Sequence, residues 1–132
     1  MRAYIPVVPS QIEVLLREGR FRFAQAFVTT RLFFEENSEV DEEEREFELS
    51  LLAAQASREI QESQESNGYV LAVNLTSVQS GSESGFQVEL LSEIEWSQVD
   101  AVLIAQSEEE ELTWFASQEV QDNLPSWLTS EN

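Results

Sequence analysis

The sequence contains no cysteine and no histidine. Those two absences remove disulfides, zinc sites built on thiolate or imidazole, thiol nucleophiles, and every Ser/His/Asp or Cys/His catalytic arrangement. Lysine is missing as well, so all seven basic residues are arginines. An arginine stays protonated and cannot act as a general base, which leaves an enzyme only carboxylates, tyrosine, or a hydroxyl nucleophile with some other base. The four glycines, Gly19, Gly68, Gly81 and Gly85, are too scattered to form a phosphate-cradling loop. No run of about 18 apolar residues is present to cross a bilayer, and the chain passes from Arg2 straight into strand-like residues without a signal-peptide pattern. A soluble, cytoplasmic protein with no membrane association is expected.

What the sequence has in excess is acid: 26 Asp and Glu against seven bases, a formal net charge of -19. The excess is lopsided. All seven arginines lie in residues 1–58, whereas residues 59–132 hold 15 acids and no base. Nucleic acid is a polyanion and needs a basic stripe, which the second half cannot supply, so direct DNA or RNA binding is not expected. A length of 132 residues with 42% hydrophobic content suits a single packed domain.

Periodicity gives the order of elements. "RAYIPV" alternates and predicts a strand over residues 2–7, and Ser10 then opens a helix that Gly19 closes. "FRFAQAFV" predicts one strand over residues 21–28, and Thr29 or Thr30 caps a short helix carrying Leu32, Phe33 and Phe34. Residues 38–63 form the longest helical segment, its acids gathered at the amino end where the helix dipole favours them. Its wheel carries two apolar strips, Phe47, Leu51 and Ala54 on one side and Leu49, Leu52, Ala53, Ala56 and Ile60 on the other. Such a helix lies between layers or meets a partner, and a homodimer is compatible with it.

After a linker, "SQESNG", the run "YVLAVNLTSV" predicts a central strand. "QSGSESG" reads as a mobile polar loop, "FQVELL" and "VDAVLIA" as two further strands. A last helix starts near Ser107 and ends before Pro125. The expected fold is α+β, a mixed sheet of about five strands with helices packed against it, in one domain over residues 1–124 with a tail at 125–132.

Ser107 with Glu110 matches a capping box, and Glu108 to Glu111 fill a first helical turn, so this acidic run reads mainly as helix initiation. Behind it Leu112, Phe115, Ala116, Val120 and Leu124 sweep one apolar arc that contains Glu119. An acid on a core-facing arc needs a partner, and Arg2 is the candidate for a structural ion pair with Glu119. Trp114, with Gln118 and Gln121, falls on the opposite side, either as a candidate interface patch or folded back against the tail containing Trp127. The block "EVDEEEREFE" lacks the spacing of a calcium or magnesium loop, and neither a metal site nor a cofactor is indicated. Asn74 in "NLT" matches a glycosylation acceptor but falls in a predicted strand.

"MRAYIPV" at the start and "ELTWFASQEVQDNL" at the end resemble an actinobacterial family of uncharacterised small proteins. Its members open with Met-Arg-x-Tyr-Ile-Pro and close with a Trp-x-Ala-x-Gln-Glu helix, matched here by Arg2, Tyr4, Pro6, Trp114, Ala116, Gln118 and Glu119. The resemblance implies a cytoplasmic bacterial protein and brings no activity with it. Three functions are consistent with the residues. The first is a non-enzymatic interaction module docking a basic protein partner. The alternative is a nucleic-acid-mimicking inhibitor of a basic DNA- or RNA-binding protein. The third is a carboxylate-based or metal-assisted enzyme using Glu119 or the pair Glu93 and Glu95, for which no complete catalytic set exists.

Overall fold

The computed structural model describes residues 1–106 and 111–130. The chain runs β1 (Arg2–Val7), α1 (Pro9–Glu18), β2 (Arg20–Phe21), β3 (Gln25–Phe27), α2 (Arg31–Glu36), α3 (Glu42–Ile60), β4 (Gly68–Asn74), β5 (Ser80–Ser84), β6 (Gln87–Leu90), β7 (Ile94–Glu95), β8 (Val99–Ala105), β9 (Leu112–Ala116) and α4 (Ser117–Ser130). Seven strands form one sheet in the order β5-β6-β3-β1-β4-β8-β9, and β2 pairs with β7 separately. The fold is α+β as expected, with more than the anticipated five strands. The sheet expected to be mixed is antiparallel at each pairing described.

Both faces of the sheet are covered, which explains why β4 reads as a continuous apolar run. Tyr69, Leu71 and Val73 point to a core shared with Ile12 and Leu15 of α1 and Val120, Leu124 and Trp127 of α4. Val70 and Ala72 point the other way, into a second core with Leu49, Ala53 and Ala54 of α3. Where α3 lies close on the sheet, that second core is lined by alanines, Ala53 and Ala54 from the helix and Ala72 and Ala101 from the strands. A Cβ added at Gly68 would overlap the Ala54 carbonyl oxygen and sit 2.8 Å from Ala54 Cβ. Ser57 joins the layers: its hydroxyl donates to the Val7 carbonyl at 2.6 Å and accepts from the Tyr69 N–H at 2.9 Å. At the same end, buried Arg58 donates to the carbonyls of Ser66, Ala105 and Gln106 at 2.9, 3.1 and 3.0 Å, and burial pushes its guanidinium down.

The face that α3 buries is therefore Leu49, Ser50, Ala53, Ala54 and Ser57. It runs between the two apolar strips expected from the wheel, and Phe47 and Ile60 are left exposed. Asp41 caps the helix by accepting from the Glu44 N–H at 2.8 Å, with Glu42, Glu43 and Glu44 in the first turn where the dipole favours them. Thr30 caps α2 through the Phe33 N–H, whereas Val8 rather than Ser10 precedes α1, with Gln11 Oε1 accepting from its N–H at 3.0 Å. Gly19 ends α1 at φ 81°, a conformation that costs glycine little.

Four expectations are corrected. The single strand at 21–28 is two, β2 and β3, because the chain turns at Arg22–Ala24 and changes partners from β7 to β1 and β6. The polar stretch expected as a mobile loop is β5, which pairs with β6 across the two-residue turn Gly85–Phe86, Gly85 having φ 61°. Residues 112–116, expected inside a helix, form β9, and helix α4 begins only at Ser117. The tail expected from Pro125 onward is helical to Ser130, since Val120, Leu124 and Trp127 at i, i+4 and i+7 bury one stripe. Trp127 meets the Phe115 ring edge-on at 5.1 Å, and that burial outweighs a proline inside a helix, which costs about 3 kcal/mol. The Ser107–Glu110 capping box lies outside the described residues.

Substituting Gly68 by Ala forces α3 and β4 apart at a backbone contact. Urea unfolding of Gly68→Ala is expected to show a loss of about 2–4 kcal/mol. Ser57→Ala removes two buried hydrogen bonds at once and is expected to lose about 1–3 kcal/mol by the same measurement; wild-type stability in either variant would contradict this account of the helix–sheet contact.

Candidate functional site

Where β4 leaves its pairing with β8 the register slips: Ala72 faces Ala101 but Val73 faces Val99, so Asp100 is an extra residue. A bulge of this kind re-aims a side chain. Asp100 is an ion-pair partner of Arg2, the first residue of β1, and accepts from Asn74 Nδ2 at 3.0 Å. Arg2 in turn lies over the Trp114 ring of β9, its guanidinium carbon 5.8 Å from the ring centre. Burial works against the charge of Arg2, but the Asp100 hydrogen bond and the neighbouring Tyr4 oxygen outweigh it and raise the group overall.

α3 crosses β1 and β4 and part of β8, and between it and the edge strand β9 a groove of about 530 Å³ stays open. Leu103 and Leu112 form its apolar floor; Phe47 from α3 and Trp114 from β9 stand on its walls, 45% and 52% exposed. Glu43 and Glu46 line it on the helix side, Arg2 and Tyr4 on the strand side. A second hollow of about 470 Å³ shares Glu43 and Phe47 and adds Asp41, Glu44 and Glu48, so Phe47 forms a ridge between two acid-lined depressions.

Tyr4 is 5% exposed and donates its hydroxyl proton to Glu46 Oε1 at 3.0 Å. Burial, the hydrogen bond to Glu46 and that carboxylate's charge push the phenol up to about 12, against a smaller opposing effect of Arg2. The group is a fixed neutral donor at physiological pH. It orients Glu46 and leaves the second carboxylate oxygen of Glu46 for other contacts.

The residues singled out from the sequence are distributed differently. Glu119, expected to face the core and pair with Arg2, is exposed, and its Oε1 accepts from the Ala116 N–H at 2.9 Å. That is the bond a third-position glutamate makes to the residue preceding a helix. The helix starts at Ser117, about ten residues later than expected, so Glu119 falls at its first turn instead of on its buried stripe. Among the described residues the ion pair of Arg2 is with Asp100. Trp114 is exposed and lies on a strand instead of a helix; Gln118 and Gln121 are exposed on α4 and do not line the groove. Glu93 forms an ion pair with Arg20 at 3.8 Å, and Glu95 precedes the 3₁₀ turn Trp96–Gln98. Among the described residues no group of three acidic side chains is placed to hold a metal ion.

Sequence reasoning did not single out Tyr4 and Glu46 as site residues in the groove, nor Asp100 beside it as the partner of Arg2. Tyr4 lies two residues after Arg2 on the same face of β1, a proximity the period-two rule offers. Nothing local marks Asp100, because a bulge is a property of a strand pair.

Because Tyr4 titrates near 12 in the fold against about 10 when exposed, its neutral form favours the folded state. Its stabilisation is fully present below about pH 10 and is lost as pH rises through 12. The fall in unfolding free energy between pH 10 and 12 is expected to be shallower in Tyr4→Phe than in wild type. Glu46→Gln, which removes the carboxylate charge, is expected to bring the phenol's absorbance titration below 12.

No curated protein and no solved structure gives a significant match to the chain. A family model described as a family of unknown function, DUF6912, matches residues 1–110, ending before β9 and α4. With five-sixths of its length matched, the chain belongs to this family of unknown function.

Proposed function

We propose that the protein is a non-enzymatic cytoplasmic interaction module that docks a partner protein on the open face between α3 and β9. The observation that carries this reading is the groove itself: two large aromatic rings, Phe47 and Trp114, stand exposed on opposite walls above an apolar floor. Isolated exposed apolar side chains need no explanation, but tryptophan flanking a groove is the usual anchor of a protein interface. The net charge of -19 favours a basic partner and speeds its encounter.

Mimicry of nucleic acid draws less support, because Asp41 to Glu44 have an ordinary structural cause at the start of α3. An enzyme draws less again. Of the carboxylates considered for that role, Glu119 is occupied in capping α4 and Glu93 faces Arg20.

Cross-linking in a bacterial lysate followed by mass spectrometry tests the docking reading. Wild-type protein is expected to capture a partner at low salt and to lose it at high salt. The Phe47→Ala, Trp114→Ala double variant is expected to lose the same partner while keeping its thermal midpoint within a few degrees, both side chains being exposed. Equal capture by the double variant would remove the groove from the interface.

A further inference from the structure

Building on that docking reading, we infer that the groove recognises an extended basic segment of the partner, seating an arginine side chain between Phe47 and Trp114 with its guanidinium against Glu43 and Glu46. The groove combines aromatic walls with acids that have binding capacity left. Glu43 is exposed and enters no hydrogen bond or ion pair among the described residues. Glu46 spends one carboxylate oxygen on Tyr4. A planar guanidinium can take both, stacking on an aromatic face while its N–H fork meets carboxylate oxygens.

The Trp114 ring already holds one guanidinium, that of Arg2 at 5.8 Å. Arg2 lines the groove but is paired with its own carboxylate, Asp100, so its charge does not take up Glu43 or Glu46. Size argues for a segment over a single ion. The groove of about 530 Å³ continues past Phe47 into the hollow of about 470 Å³ that adds Asp41, Glu44 and Glu48. A chain crossing that ridge would meet carboxylates on both sides of the aromatic ring, which suits basic residues alternating with apolar ones.

Charge also decides between occupants. A second copy of this chain would bring another -19 to a face already lined by acids, and a nucleic acid would be repelled outright. An uncharged apolar helix would have to desolvate Glu43 and Glu46 with nothing to pair them.

The test uses the full chain, labelled with nitrogen-15, and an acetylated and amidated hexapeptide of alternating leucine and arginine. Amide shifts are expected at Phe47, Leu103 and Trp114. The dissociation constant is expected to rise about tenfold in Trp114→Ala and in the Glu43→Gln, Glu46→Gln double variant. It should change less than twofold in Glu13→Gln, Asp122→Asn, which removes the same charge from exposed positions on α1 and α4. The same peptide with glutamate in place of arginine is expected not to bind. Equal weakening in the groove and control variants would reduce the effect to bulk electrostatics and overturn the inference, as would shifts that avoid the groove. Loss of peptide binding with capture still dependent on Phe47 and Trp114 would remove the basic segment and keep the docking face. The opposite pattern would remove the docking reading and keep the groove's preference for a guanidinium.

Discussion

The close seating of α3 on β1 and β4 is the constraint from which the rest of the structure follows. Gly68 lets the helix backbone come within contact of the strand at Ala54, and Ser57 bonds to both strands where β1 and β4 end their pairing. Small residues fill the layer between, Ala53, Ala54, Ala72 and Ala101 among them. Close-packed interiors tolerate little change in volume, so this seam fixes the position and rotation of α3 relative to the sheet. The rotation in turn sets which residues of the helix look outward.

A helix seated over β1 and β4 cannot also cover the far edge of a seven-stranded sheet. Strands lie about 4.8 Å apart and a helix is about 10 Å wide. β9 is therefore left bare on the α3 side, Trp114 with it, while its opposite side is covered through Phe115 and Trp127. The bulge at Asp100 completes the site by giving Arg2 a carboxylate, and Arg2 then lies over Trp114. Groove, aromatic walls and acid lining are thus consequences of one helix position and one slipped register.

Legibility in the sequence followed the range of the interaction. β1, α2 and β8 were readable because their signals are local: alternation, a Thr30 cap and an apolar run. So was the gathering of acids at the amino end of α3, although that helix starts at Glu42 and not at residue 38. β5 was hidden because "SGSES" has no apolar face; it is a strand only because β6 pairs with it. The stretch from Leu112 to Leu124 fits an apolar arc of helical period, yet Thr113, Trp114 and Phe115 are residues that favour a strand. The edge of β8 decided between them. Glu119 was misplaced by the same ambiguity. Its proposed pairing with Arg2 failed because a helix begun about ten residues later turns it from the core to the cap.

By itself the sequence determined the chemistry available: no thiol, no imidazole, no lysine, a large surplus of carboxylate, and enough apolar residues for one α+β core. Those are properties of composition and short-range pattern, which do not depend on what packs against what. Which acids face a groove, which serve as caps, and which aromatic rings stay in solvent were decided only by tertiary structure. Each of those outcomes depends on the partner a segment finds across the sheet, and the free energy of that contact exceeds the weak local preferences written along the chain.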